Sequence, residues 1–143
     1  MLRMLRAAVV SLCFFTVILM AQDAPKPLVL RVMDGRNGSV VAHEDVNLWY
    51  DEMDGRPIVL RTDDNGVAVL PPPLSPAVRI FVAPLESIDC RKPITPPQAY
   101  SLKTMGETGI SAENRCGAPL VRRQSGELVL FVRGRRWYDG VNK

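Results

Sequence analysis

Four dipeptides, Asp34-Gly35, Asn37-Gly38, Asp54-Gly55 and Asn65-Gly66, punctuate the first half of this chain and limit what it can fold into. Glycine and asparagine accept positive φ, so such pairs mark tight reversals. Between them lie runs too short for a globular helix but right for strands. Leu28, Leu30 and Val32 share one parity, with Arg31 on the other; Val46, Leu48 and Tyr50 alternate with Asn47, Trp49 and Asp51. Thr62-Asp63-Asp64-Asn65-Gly66 launches Val67 to Leu70, and Pro71, Pro72 and Pro73 stop that strand because proline donates nothing to a ladder. Val78, Ile80 and Val82 alternate with Arg79, Phe81 and Ala83.

Strands are therefore expected at 28–33, 46–51, 58–61, 67–70, 78–83 and 127–133. A bent strand is expected at 102–110, where Gly106 and Gly109 break a weak pattern. No helical period of adequate length is expected beyond residue 21. About seven short strands with regular turns read as an all-β, single, seven-stranded, immunoglobulin-like or related antiparallel sandwich.

The N-terminus is a segment of another kind. Arg3 and Arg6 precede 14 apolar-rich residues, 7–20, too few for a comfortable membrane span and suited to the h-region of a signal peptide. The expected organisation is a signal peptide at 1–21, a linker at 22–27, a β-sandwich at 28–133 and a basic aromatic tail at 134–143. Cleavage after Ala21 or Ala24 and retention as an anchor are both open; the chain contacts a membrane only if the segment stays uncleaved. The expected location is secreted or periplasmic.

Export changes how the cysteines and the charge are read. Of three cysteines, Cys90 and Cys116 remain after cleavage, and an even pair in an exported chain reads as a disulfide. Two buried free thiols are the alternative. The formal net charge of +3 is unevenly placed: residues 22–114 carry 9 basic and 13 acidic groups, residues 115–143 carry 7 and 2. A near-neutral exported chain is not expected to bind nucleic acid.

Chemistry-bearing clusters are few. His43, the single histidine, lies beside Glu44 and Asp45 in a polar turn, whereas a catalytic triad needs an oriented, partly buried imidazole. Asp63, Asp64 and Asn65, and separately Asp51, Glu52 and Asp54, offer hard oxygens to calcium, but the twelve-residue loop closed by a bidentate glutamate is missing. These read as turns, and neither metal nor cofactor is expected. Asn37-Gly38-Ser39 matches a glycosylation sequon and explains itself as a hairpin turn.

Arg133, Arg135, Arg136, Trp137 and Tyr138 form the most pointed surface feature, since arginine and tryptophan are favoured interface anchors. Arg135, Arg136, Trp137 and Tyr138 are the expected contact residues; an ordinary solvated strand end is the alternative. Trp49, Phe81 and Phe131 fall opposite Leu48, Ile80 and Leu130, so they either line outer faces as a binding strip or belong to strands buried on both sides.

Val32-Met33-Asp34-Gly35, Glu44-Asp45-Val46-Asn47-Leu48 and Thr62 through Pro71 together resemble the carboxypeptidase regulatory-like group, transthyretin-like (prealbumin-like) β-sandwiches often secreted by bacteria. The resemblance spans about residues 28–82. The stretch from Thr108-Gly109-Ile110 through Asn114-Arg115-Cys116-Gly117 to Arg133 is similar to the tail of small exported proteins that carry such a domain. It implies a scaffold and a location rather than an activity, because one sandwich hosts many functions. Hydroxyisourate hydrolases on the transthyretin fold use several histidines and end in Tyr-Arg-Gly-Ser; this chain has His43 alone and ends Asp139-Gly140-Val141-Asn142-Lys143. The Lys–Asn crosslink of collagen-adhesin domains also lacks its parts, since the last strand holds no asparagine.

The expected function is thus a non-enzymatic binding or interaction module for a protein or cell-surface glycan. A purely structural envelope component and a hydrolase with an unfamiliar site near His43 are the alternatives.

Overall fold

Two sheets pack face to face in the computed structural model, which describes residues 26–50, 55–72, 75–83 and 87–135. The strands are β1 (Val29–Asp34), β2 (Asp45–Tyr50), β3 (Ile58–Arg61), β4 (Val67–Val69), β5 (Ala77–Val82), β6 (Ser87–Asp89), β7 (Ala99–Ser101), β8 (Ile110–Ser111) and β9 (Glu127–Gly134), with one helix, α1 (Leu102–Thr108). One sheet runs β4-β1-β9-β6, with β8 also on β9; the other runs β3-β2-β5-β7. The expected signal peptide, the turn at Asp51, Glu52 and Asp54, and Arg136, Trp137 and Tyr138 lie outside the described residues.

Sandwich architecture agrees with the sequence, while topology departs from it in two respects. The described residues form nine strands rather than seven, and the first sheet is mixed. β1 pairs parallel to β9 from Val29↔Glu127 to Asp34↔Val132, and β8 pairs parallel to β9. Alternating hydrophobicity fixes which face a residue points to and is silent about strand direction. One clue was present: Leu128-Val129-Leu130-Phe131-Val132 is apolar without alternation, and all five residues are buried. That is how strands covered on both faces read.

The second departure is at 102–110, where α1 replaces the bent strand. Ser101 caps it, its Oγ accepting from Thr104 N–H at 3.3 Å, and Gly109 ends it with φ +71°. Leu102 and Met105, three apart, put one buried face against the core. Seven residues are too few to show a helical period, so the cap and the terminal glycine were the only local signals.

The main core lies between the sheets. Leu30, Val32, Val46, Leu48, Val78, Ile80, Leu128 and Leu130 are all fully buried, and the first six belong to the alternating sets read from the sequence. A second, smaller core lies on the outside of the first sheet. Val129 and Phe131 are buried there beneath Cys90, with Met33, Cys116 and Val121 packed around them. The covering element is a strap, residues 112–124, without regular structure. It is pinned by the Cys90–Cys116 disulfide, whose Cα atoms are 5.4 Å apart. Closing a loop of this length stabilises by about 3–4 kcal/mol on the chain-entropy model. Gly35 lets the strap sit down: a Cβ there would lie 2.6 Å from Asn114 Oδ1 and 2.8 Å from Cys90 Sγ.

The Asp63 turn works through backbone capture. Asp63 Oδ1 accepts from Asn65 N–H and Val67 N–H, both at 2.9 Å, and these bonds hold its carboxyl below the usual carboxylate range. Gly66 has φ +70°, and a Cβ on it would stand 2.8 Å from the Val32 carbonyl oxygen, which puts the turn directly against β1. Gly66→Ala therefore meets both backbone strain and a clash, whereas Gly55→Ala, at φ +95° with open space around it, meets only strain. In urea unfolding, Gly55→Ala is expected to cost about 1 kcal/mol and Gly66→Ala at least about 2 kcal/mol. Equal losses would remove the close-approach argument.

Candidate functional site

Where the two sheets meet at their β5–β6 side, a strut crosses between them. Its centre is Arg91, immediately after Cys90, with a side chain only 9% exposed. Its guanidinium pairs with Asp89 through Nε, at 3.0 Å to both carboxylate oxygens, and through Nη2. Nη2 also donates to the Ile80 carbonyl at 2.7 Å and Nη1 to the Tyr100 hydroxyl at 3.2 Å. The guanidinium carbon lies 5.9 Å from the Tyr100 ring centroid. One side chain thus joins β6 of the first sheet to β5 and β7 of the second. A planar fork suits this, because several partners in fixed directions are met at once. Burial disfavours the charge, but the pairing with Asp89 outweighs it and raises the arginine pKa above its ordinary value.

Beside the strut runs a groove of about 420 Å³. Phe81, Ile88, Pro93, Ile94 and Pro97 supply its apolar walls; Asp89, Arg91, Lys92, Glu113 and Arg135 are its charged lining. Phe81 is 42% and Ile94 49% exposed, so the walls present apolar surface to solvent. The groove exists because β7 is short. β5 pairs with β7 only from Ala77↔Ser101 to Arg79↔Ala99. Continuing that register would set Pro97 opposite Phe81, and a proline cannot extend the ladder. The Arg79 side chain, on β5, donates to the Pro97 carbonyl and so tethers the departing chain through a side chain in place of the backbone ladder. At the back of the groove Ser87 donates to Glu44 Oε2 at 2.7 Å, and both residues are buried.

Of the residues expected from sequence, Arg135 lines this groove. Arg136, Trp137 and Tyr138 follow it in the chain, outside the described residues. Cys90 and Cys116 form the disulfide, and Cys90 sets the start of the Arg91 strut. The three aromatics part company. Register places Asn47 opposite Phe81 and Trp49 opposite Arg79, so Trp49 and Phe81 are diagonal neighbours on the outer face of the second sheet. Phe131 is buried under the strap.

His43 lies elsewhere in the β1–β2 connection, with φ +58°. Its Nε2 is 3.1 Å from Asp64 Oδ1, the two side chains 58% and 89% exposed. Among the described residues no three His, Cys, Asp or Glu side chains are grouped to hold a metal ion. Sequence reasoning missed Arg91, Lys92, Ile88 and Ile94. Arg91 followed a cysteine expected to be bridged, which was the one available signal. No protein-family model, curated protein or solved structure matches this chain.

Replacing Arg91 leaves Asp89 partly buried without its cation and strips donors from Ile80 and Tyr100. Arg91→Met is expected to cost about 2–4 kcal/mol in urea unfolding. Arg91→Lys should recover little of it, because an ammonium cannot span the same partners; full recovery would reduce the strut to a point charge.

A second electrostatic clamp makes part of the stability depend on acid pH. Asp34 accepts from the Arg36 side chain at 2.7 and 3.2 Å and from its N–H at 2.8 Å, and this holds its carboxyl below the usual range despite burial. The folded pKa is depressed, so the unfolded chain binds more protons in the window between the two values. The contribution is full above the unfolded pKa of about 3.9 and is lost as pH falls through the folded one. Melting temperature should therefore drop more steeply between about pH 5 and pH 2.5 for the native chain than for Asp34→Asn. Parallel curves would show that the clamp contributes nothing.

Proposed function

We propose that this protein is an exported, non-enzymatic interaction module built on a carboxypeptidase regulatory-like, transthyretin-like sandwich, and that it holds a protein or cell-surface glycan at the β5–β6 groove. The observation that carries the reading is the groove itself. It is an exposed apolar trough with cationic side chains, Lys92 and Arg135, in its lining. Its most polar members, Arg91 and Asp89, are tied to each other and to the fold. Such a lining suits adhesion, in which a desolvated apolar centre is bordered by charge. His43 is not part of it. The disulfide favours an oxidising compartment, in keeping with the N-terminal signal. Arg136, Trp137 and Tyr138 follow Arg135 in the chain, outside the described residues, and are proposed as further contact residues for the basic and aromatic character of their side chains.

The test is site-specific photo-crosslinking in the native envelope. Ile94→benzoylphenylalanine places a probe on the groove wall; Val69→benzoylphenylalanine places one on β4, at the opposite edge of the first sheet, where the side chain is equally accessible. A discrete adduct from position 94 and none from position 69 is the expected result. Adducts from neither position, or the same adduct from both, would defeat the proposal.

A further inference from the structure

We infer that an arginine-specific endoprotease processes this protein at the Arg122-Arg123 pair of the strap, and that the cut chain stays assembled with β9 held as a separate piece. The inference concerns the strap and does not depend on what the groove holds.

The strap supplies the substrate. Arg122 and Arg123 are exposed in a stretch without regular structure, and Leu120 beside them is 105% exposed. From Gly117 to Arg123 no backbone N–H or carbonyl is hydrogen-bonded among the described residues, and neither arginine side chain is paired there. A protease draws several residues into its cleft in extended form, so a backbone with no ladder to break is the one it takes. Two contacts hold the stretch down: Pro119 lies against Gly38, and Val121 packs half-buried on the outer core. Both are side-chain contacts that lift without unpairing a strand.

The other basic residues are placed where such an enzyme fails. Lys26, Arg56 and Lys92 are exposed and outside regular structure, yet each is followed by proline: Lys26-Pro27, Arg56-Pro57 and Lys92-Pro93. A proline after the scissile carbonyl puts a ring in place of the amide N–H and blocks the cut. Arg31, Arg61, Arg79 and Arg133 lie in strands and Lys103 in α1. The Arg91 side chain is buried in the strut. Arg36 is clamped to Asp34 through its side chain and its own N–H. Arg115 has its N–H on the Cys90 carbonyl, and the next residue is bridged.

The position of the pair decides what a cut does. Water adds across the C–N bond after Arg122 or Arg123, leaving a carboxylate on that arginine and an amino group on the residue that follows. Cys90 and Cys116 both precede the cut, so the disulfide does not join the two pieces. β9 is held instead by its ladders on β1, β6 and β8 and by the burial of Leu128 to Val132. Its new end is anchored as well: Gly126 N–H donates to the Met105 carbonyl at 2.8 Å, and the Ser125 hydroxyl to the Gly106 carbonyl at 2.5 Å. Processing therefore leaves the sandwich standing and makes its central strand, with Arg135 and the tail, a piece no longer covalently tied to the rest.

The experiment has two arms, both read by intact-mass spectrometry: the full-length, disulfide-bonded chain with dilute trypsin, and the chain recovered from its own cells with no protease added. With trypsin the first cut between residues 26 and 135 is expected after Arg122 or Arg123. The pieces should separate in denaturing electrophoresis without reductant, and co-elute in native gel filtration. The double variant Arg122→Gln with Arg123→Gln should keep the melting temperature and slow all internal cutting at least about tenfold, since no other bond takes over. Val121→Ala should speed the cut about fivefold by loosening the strap. The unfolding midpoint of the cut protein should fall on dilution, as that of the intact chain does not. Chains from the cells should include an amino terminus at Arg123 or Gln124. A first internal cut elsewhere, undiminished internal cutting in the double variant, or loss of β9 on native filtration would each overturn the inference. So would finding every chain from the cells uncut at the pair.

Discussion

The parallel pairing of the first strand with the last is the constraint from which the rest of the molecule follows. Arg31 and Glu127, 96 residues apart, meet in an ion pair across it. A parallel pair cannot be closed by a hairpin, so everything between β1 and β9 is the crossover, and that crossover contains the whole second sheet. With β1 and β6 on its flanks, β9 stands well inside its sheet and is buried on both faces from Glu127 to Val132. One face is covered by the second sheet. The other needs a cover of its own, and the strap held by Cys90–Cys116 supplies it.

The groove is a consequence of that arrangement rather than an independent feature. The disulfide fixes Cys90 at the end of β6, and the next residue, Arg91, is thereby delivered to the seam between the sheets. There it finds Asp89, Ile80 and Tyr100 at once. The same strut braces the floor beside which apolar side chains are left uncovered. Stability and the candidate binding surface therefore share a residue. A variant at Arg91 is expected to disturb both, while Lys92, whose side chain points into no core, separates them.

Much of the scaffold was legible one strand at a time. Six of the strand positions, the inward parity of Leu30, Val32, Val46, Leu48, Val78 and Ile80, and the turn at Asp63 to Gly66 follow from short apolar runs, period-two alternation and the backbone freedom of glycine. The candidate site was much less legible. Arg135 was singled out for its company in the tail, and it does line the groove. Ile88, Arg91, Lys92 and Ile94 gave no pattern, because β6 and β7 have three residues each and are held by neighbours distant in sequence. Helix α1 escaped for the same reason: seven residues, about two turns, are fewer than the window in which a helical period can be seen.

By itself, the sequence determined the local alphabet: which residues face inward, where the chain reverses, where prolines end a strand, and which two cysteines are available to pair. Those properties depend on the side chain and on φ, and each residue carries them with it. Tertiary structure alone decided that β1 and β9 run parallel, that Phe131 is buried while Phe81 is exposed, and that an arginine after a cysteine becomes a strut between sheets. Strand direction, the choice of partner and the cover over an outer face depend on contacts between segments tens of residues apart. No local pattern of hydrophobicity encodes such contacts.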